Sequence, residues 1–370
     1  MAAASGAGLR REWPLAASYL TAGLFLASGD RWLADLSAPG WFAFLSLWLF
    51  AAMMLSAFAV VRHADALAER TGEPYGTLIL TLAITGIEVL MIAAVMYTGK
   101  GSPALARDAM FAVVMIVMNG MVGLSLILGG LRYHEQTFNL QGATAFLAVI
   151  LPLAVLGLVM PSFTVTTPGP TLSVLQSAFL IVMSLVLYGV FLAIQTLRHR
   201  DYFVSPEAEG AAAGHVPEGG RTIAWHAALL AAHALPIVVL SKQIAVPINH
   251  AIDVLHAPAA LGGLLVSVLI LSPESLGAVR AVLANQLQRS VNILLGSVLA
   301  SISLTIPLVL AVGFFGGRTI VLGLDTVDAI MLVLTLVLSM ITFSSTRTNV
   351  LLGAVHLLLF FAYLMLLFER

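Results

Sequence analysis

The sequence predicts an all-α polytopic membrane protein with about 11 transmembrane helices, arranged as one leading helix and two inverted five-helix repeats. Three observations lead to this prediction. Hydrophobic residues make up 60% of the 370 residues and charged residues only 9%, and the mean hydropathy is +1.02. Apolar runs long enough to cross a bilayer recur along the chain. One long polar stretch divides those runs into a set of six and a set of five.

The composition restricts the environment and the partners of the chain. About a quarter of the residues of a soluble domain are charged, so this chain has too little polar surface to fold in water, and membrane lipid is the expected partner. The net charge of −1 provides no basic surface for nucleic acid. The chain has no cysteine, which excludes disulfides, thiolate metal ligands and cysteine nucleophiles.

The apolar runs predict helices rather than barrel strands, because such strands would be about half as long and would alternate apolar with polar residues. The first run, short and rich in Ala and Gly, is the weakest of these predictions. The spans are predicted at residues 14–29, 41–62, 76–98, 108–131, 143–161, 173–197, 223–247, 258–280, 290–316, 323–343 and 348–368.

The Lys and Arg residues are distributed unequally between the two sides of the predicted bundle. With eleven spans, 11 of them fall on the side of the N-terminus and 6 on the other side. Because cytoplasmic loops are enriched in Lys and Arg, we predict that the N-terminus is cytoplasmic and the C-terminus is outside.

The long polar stretch, residues 199–221, has the composition of a flexible linker, with Gly, Ala, Pro and Glu in no periodic pattern. The same topology makes it cytoplasmic. We therefore divide the chain into an N-terminal segment with the first helix (1–40), a first five-helix repeat (41–198), the linker and a second five-helix repeat (222–370). Two units of five spans must have opposite orientations in the membrane, as in many secondary transporters.

Two carboxylates lie well inside predicted spans: Glu88 in the third and Glu274 in the eighth. A charge at this depth is costly and usually functional. Gly86 and Pro273 stand just before them, and such residues free backbone carbonyls that can help to coordinate a cation. The third and eighth spans occupy the same place in their five-span units, so two-fold pseudosymmetry would bring the two glutamates together near the midplane.

A pair of carboxylates suits a hard cation, because such ions prefer oxygen ligands. Burial and mutual repulsion favour the protonated form of such a pair, so protons and cations would compete for one site. If such a site opens alternately to the two sides of the membrane, this competition exchanges cations for protons, which is antiport. Two carboxylates would neutralise Ca²⁺ fully, which favours Ca²⁺ slightly over Na⁺ or K⁺. In the alternative interpretation, either glutamate is protonated and merely packed, or lies near an interface.

Polar side chains in the fourth and ninth spans could complete the coordination of a cation. The candidates are Asn119 in the fourth span and Ser297 and Ser301 in the ninth. Amide and hydroxyl oxygens are suitable ligands. The alternative is structural, because small polar residues also mark close helix packing in membranes.

The segments around these residues resemble the cation/calcium exchanger superfamily, and within it the bacterial ChaA-type calcium/sodium–proton antiporters. The resemblance implies an extra N-terminal helix, two inverted five-helix halves, a cytosolic linker and a location in the bacterial inner membrane. It also implies one glutamate in each repeat that binds cation or proton, and these fall on Glu88 and Glu274. The matching segments are GIEVLMIAAVMY with ALARDAMFAVVMIVMNGMVGLSLILGGLRYHEQTF, and SPESLGAVRAVLANQLQRSVNILLGSVLASISLTIP.

We therefore expect a secondary antiporter that exchanges Ca²⁺, Na⁺ or K⁺ for protons by alternating access around Glu88 and Glu274. It needs no cofactor besides the transported ions, and a homo-oligomer is compatible with the sequence. The alternative is a cation channel, or a cation-binding membrane protein without proton coupling. An enzyme is not expected, because the spans carry no protease motif and the chain has no phosphate-binding Gly-rich loop.

Overall fold

The computed structural model describes residues 12–71, 75–97, 102–204 and 222–369. Within these residues the protein consists of eleven long helices and their connections, which confirms the predicted all-α architecture. The helices are α1 (Trp13–Trp32), α2 (Pro39–Thr71), α3 (Tyr75–Tyr97), α4 (Leu105–Tyr133), α5 (Leu140–Ser162), α6 (Val174–Arg198), α7 (Ile223–Asp253), α8 (Leu261–Leu283), α9 (Leu287–Gly316), α10 (Thr326–Thr342) and α11 (Val350–Phe368).

Eight of the described helices are long and apolar enough to cross a membrane: α2, α4 to α9, and α11. α10 and residues 81–95 of α3 are apolar but shorter. α1, the weakest of the predicted spans, is not among the eight.

Local signals in the sequence account for several helix ends. The Asn139 side chain accepts hydrogen bonds from the first turn of α5, and Ser173 forms a reciprocal capping pair with Gln176 at the start of α6. α9 ends at Gly317, whose positive φ of 60° favours glycine. α2 continues to Thr71, beyond the predicted boundary at residue 62, because the polar residues that follow the apolar run still favour a helix.

The helices that carry Glu88 and Glu274 remain continuous at the helix-disturbing residues that precede these glutamates. α3 passes through Gly86 and α8 passes through Pro273 without a break. α4 instead contains a π-helical segment, Met115–Met121, in its middle. Segments of this kind often occur at functional sites because they change the direction of side chains.

The packing of the helices repeats between the two halves of the chain. α3 packs against α9 as α8 packs against α4, and α6 packs against α9 as α11 packs against α4. α2 and α7, the first helices of the two halves, lie along each other. The apolar stretches of α4 and α9 are 78% and 67% buried, against 22% for α6, α7 and α11. The third helix of each half therefore forms the core of the bundle.

A close approach of two backbones joins α4 to α11. A Cβ atom added to Gly123 would lie 2.9 Å from the carbonyl oxygen of Gly353, and one added to Gly353 would lie 2.8 Å from the carbonyl oxygen of Gly123. Glycine at both positions allows the two helices to pack at this distance.

Polar contacts attach α1 to the rest of the bundle. Ser56 of α2 donates a 2.7 Å hydrogen bond to Ser18 of α1. Glu12, just before α1, forms a 2.6 Å ion pair with Arg62 of α2. Burial opposes ionisation of the Glu12 carboxyl and would raise its pKa. The pKa is nevertheless held below its usual range by hydrogen bonds from His233 and His63 and by the charge of Arg62.

Most of the predicted linker, residues 205–221, lies outside the described residues. The part that precedes it contains a short 3₁₀ turn, Arg200–Tyr202. The buried Phe203 ring packs edge-on against Phe146 of α5 and Phe191 of α6. This segment therefore covers one end of α5 and α6.

Candidate functional site

The core helix α9 carries two of the predicted site residues, and the helices beside it carry both glutamates. Glu88 on α3 and Glu274 on α8 are 3% and 5% exposed. Ser297 and Ser301 on α9 are also buried. The residues belong to three different helices, so only the folded bundle can bring them together.

Each glutamate receives a hydrogen bond from a different serine of α9. The Ser297 hydroxyl donates to Oε2 of Glu274 at 2.5 Å. The Ser301 hydroxyl donates to Oε1 of Glu88, also at 2.5 Å. Residues four apart on a helix lie on the same face, about 5–6 Å apart between Cβ atoms. The two carboxyl groups are therefore bound along one face of α9, one helical turn apart.

Neither glutamate has a basic partner within the described residues, where the ion pairs involve only other acids. Two buried carboxylates without a counter-charge are strongly unfavourable. The pair therefore requires a bound cation or protons. A serine hydroxyl suits both states. It can form a hydrogen bond with the carboxyl group when protons are bound, and its lone pairs can bind a cation when one is present.

Asn119 lies in the π-helical segment of α4 and takes part in a separate polar network. Its amide Nδ2 donates to Oγ1 of Thr335 on α10 at 2.7 Å. Its Oδ1 lies 3.2 Å from Nδ1 of His356 on α11, and Nε2 of His356 lies 2.9 Å from Oγ1 of Thr342. All four side chains are fully buried. Asn119 thus joins α4, α10 and α11, and its role as a cation ligand stays a prediction.

No local signal in the sequence marks Thr335, Thr342 or His356 as part of a network. Each is a lone polar residue in an apolar run, and such residues are common in membrane helices. The network became visible only when the fold brought α10 and α11 against the π-helical segment of α4.

Two cavities flank Glu88 along α3. One is lined by Leu78 and Thr81, which precede Glu88, together with Asn292 and Gly296 of α9. The other is lined by residues that follow Glu88 on α3, and by residues of α4, α7 and α8. Its polar lining comes from Ser102, Asp108, Ser241 and Asn249, beside Met91 and Val95. Glu88 therefore lies between two cavities at opposite ends of its helix.

Asp108 is the acidic residue of the second cavity. It is 6% exposed and forms a 2.8 Å ion pair with the neighbouring Arg107. Arg107 also donates to the backbone carbonyl of Gly323. Asp108, held by this ion pair, is therefore a charged lining residue of the cavity next to Met91 and Val95 of α3.

Comparison with known protein families identifies both halves of the chain. The family described as sodium/calcium exchanger protein matches residues 41–197 and 225–369. The sodium-potassium/proton antiporter ChaA of Escherichia coli (strain K12) is 44% identical over 320 residues, covering 85% of this chain and 86% of that protein. A putative ionic transporter, y4hA, of Sinorhizobium fredii is 43% identical over 310 residues, covering 84% of each protein.

Solved structures share the fold at low sequence identity. The structure of native YfkE superposes with a TM-score of 0.71 at 16% identity, covering 94% of this chain and 100% of that chain. An H⁺/Ca²⁺ exchanger, CAX, superposes with a TM-score of 0.64 at 13% identity, covering 94% of this chain and 88% of that chain. The helical arrangement described above is therefore one that experimental structures contain.

Proposed function

Because the chain belongs to the sodium/calcium exchanger protein family, we propose that it is a secondary antiporter that exchanges an inorganic cation for protons. The name of the Escherichia coli relative supports this activity, since that protein is a sodium-potassium/proton antiporter and is 44% identical. Exchange of this kind needs one site that cations and protons occupy in turn.

The observation that carries the proposal is the buried pair Glu88 and Glu274, each bonded to a serine of α9. With no basic partner within the described residues, the pair is stable either with a cation or with protons. Carboxylate and hydroxyl oxygens are the ligands of hard cations. We propose that Glu88, Glu274, Ser297 and Ser301 form the site, and that the glutamates carry the protons.

The two cavities suggest how the site is reached. One cavity borders α3 at Thr81, before Glu88, and the other borders it at Met91, after Glu88. In the proposed cycle, the site opens to one cavity at a time. Cation release leaves two repelling carboxylates, which take up protons before the site reopens on the other side.

The proposed membrane arrangement follows from the charge bias and the two halves. The described helices α2 to α6 and α7 to α11 would form the inverted repeats, with the N-terminus in the cytoplasm and the C-terminus outside. The bacterial inner membrane is the proposed location.

The experiment is a proton-flux assay with the purified protein in liposomes that contain a pH-sensitive dye. Ca²⁺, Na⁺ and K⁺ are added separately to the outside. The proposal predicts that at least one cation drives protons out of the liposome lumen, and that the flux persists when the membrane potential is clamped. Cation uptake without proton movement would contradict it and would favour a channel.

A further inference from the structure

A second group of ionisable side chains lies where α1, α2 and α7 meet. Glu12 precedes α1, His63 is on α2 and His233 is on α7. Nε2 of His63 and Nε2 of His233 lie 3.3 Å and 3.2 Å from the same atom, Oε2 of Glu12. Their side chains are 3%, 0% and 9% exposed for His63, His233 and Glu12. The three ligand atoms lie within 4.8 Å of one another.

This group is separate from the proposed transport site. The transport site lies on α3, α8 and α9, whereas the histidines belong to α2 and α7, the first helices of the two halves. Glu12 is 51 residues from His63 and 221 residues from His233 in the chain. The sequence did not predict that these side chains would meet.

The donor set matches a borderline transition metal rather than the hard cations of the transport site. Two imidazole nitrogens and one carboxylate oxygen are a common protein ligand set for Zn²⁺. With metal–ligand distances of about 2.0–2.1 Å, neighbouring ligands of a tetrahedral ion lie about 3.3–3.4 Å apart. The two separations from Oε2 of Glu12 agree with this spacing. Ca²⁺ would instead seek six to eight oxygen atoms.

A fourth residue is placed to orient one of the ligands. Nδ1 of His226 lies 3.1 Å from Nδ1 of His63. A bond at Nδ1 makes Nε2, which faces Glu12, the metal-binding nitrogen of His63, and this is the usual arrangement for a metal-bound histidine. The rings of His63 and His233 stack at 5.6 Å with an interplanar angle of 25°. Both Nε2 atoms lie on the same side of this stacked pair, close to Oε2 of Glu12.

Arg62 holds Glu12 when no metal is bound. Its Nη2 lies 2.6 Å from Oε2 of Glu12, and its side chain is 44% exposed. A guanidinium with this much access to solvent can turn away from the carboxylate when a dication approaches. The contact shows that this oxygen accepts a positively charged partner.

From this geometry we infer that Glu12, His63 and His233 form a binding site for a transition-metal dication of the Zn²⁺ class. A metal held here ties α1 to both α2 and α7. The inference does not depend on the proposed antiport, because none of its ligands belongs to the transport site.

The test is calorimetric titration of the metal-free, purified full-length protein with Zn²⁺ in the presence of excess Ca²⁺, which occupies oxygen-rich sites. The wild-type protein is expected to bind one Zn²⁺ per chain. His63→Ala/His233→Ala is expected to lose this binding, and His226→Ala to weaken it about 10- to 100-fold. The exposed His256 provides the matched control, since His256→Ala removes a histidine elsewhere and is expected to bind like wild type.

Glu88→Gln/Glu274→Gln separates this site from the transport site, and it is expected to keep the Zn²⁺ binding. Absence of binding by the wild-type protein would overturn the inference. Binding that is lost in the glutamine variant but unchanged in His63→Ala/His233→Ala would also overturn it.

X-ray absorption of the Zn²⁺-loaded wild-type protein needs no variant and covers the case in which the alanine substitutions prevent folding. Two imidazole ligands are expected in the spectrum. A spectrum with only oxygen ligands would contradict the inference.

Discussion

Ser297 and Ser301 lie one turn apart on α9, and each donates a hydrogen bond to a different buried carboxylate, Glu274 and Glu88. One helix thus holds two acidic residues that are contributed by the two halves of the chain. A movement of α9 relative to α3 or α8 would change the environment of one carboxylate before the other. The serines are therefore the first residues by which we test the proposed site.

Removal of either serine hydroxyl should weaken cation binding. A hydrogen bond to a charged group contributes about 1.5–3 kcal/mol, and about 1.4 kcal/mol corresponds to a tenfold change in affinity. We expect Ser297→Ala and Ser301→Ala each to raise the KM for the transported cation about tenfold or more. The measurement is cation-dependent proton flux in proteoliposomes.

Ser303 on the same helix provides the matched control for both serine variants. It is fully buried, and its hydroxyl has no hydrogen-bond partner among the residues that the structure describes. Ser303→Ala should leave the KM unchanged. An equal rise of the KM in this variant would show that α9 responds to any loss of a hydroxyl.

Transport should depend on pH through competition at Glu88 and Glu274. Ligands must be deprotonated to hold a cation, so the apparent cation affinity should fall as the pH falls. For one competing proton, the KM should rise by up to about tenfold for each unit of decreasing pH. A KM series measured around neutral pH, with equal pH on both sides of the membrane, tests this dependence. A KM that is independent of pH would show that protons do not share the site.

The network around Asn119 should contribute to stability. Asn119→Leu removes the hydrogen bonds that join Asn119 to Thr335 and to His356, and each lost hydrogen bond costs about 0.5–1.5 kcal/mol. We expect a lower midpoint of thermal unfolding, and a comparable decrease for Thr335→Val. Unchanged midpoints in both variants would contradict the structural role. A raised cation KM in Asn119→Leu alone would support the ligand role that the sequence predicts.

The contact between α4 and α11 predicts a strong effect of a single methyl group. Gly353→Ala would place a Cβ atom 2.8 Å from the carbonyl oxygen of Gly123, so the helices must separate. We expect a loss of about 1–3 kcal/mol, as for other overpacked positions. Thermal unfolding in detergent measures it. Gly189→Ala on α6 is the control, because no atom of the described residues lies within 4 Å of the added Cβ atom. Equal midpoints for the two variants would contradict the close packing.

Hydropathy and spacing predicted most of the fold and the four residues of the proposed site. The cost of a buried charge made Glu88 and Glu274 conspicuous, and the polar face of α9 pointed to Ser297 and Ser301. These signals can be found within a single span, because a charged or polar residue differs clearly from the apolar residues that lipid requires around it.

The remaining features depend on contacts between distant segments. Asn119 was noted as a ligand, yet its observed partners, Thr335 and His356, come from helices whose packing no local pattern shows. No local signal around Glu12 indicates that it meets His63 and His233 across the bundle. The spacing of polar residues within one span does not indicate which face another helix will cover.

The most direct test of the account compares proton flux of the wild-type protein with that of Glu88→Gln and Glu274→Gln in the same liposomes. Glutamine keeps the size and the hydrogen-bonding capacity of glutamate, but it carries no charge and has no ionisable proton to release. We predict that each substitution abolishes cation-driven proton flux, while the purified variants keep the helical content and the unfolding midpoint of a folded protein. Cation-driven proton flux at the wild-type rate in either variant would contradict the account.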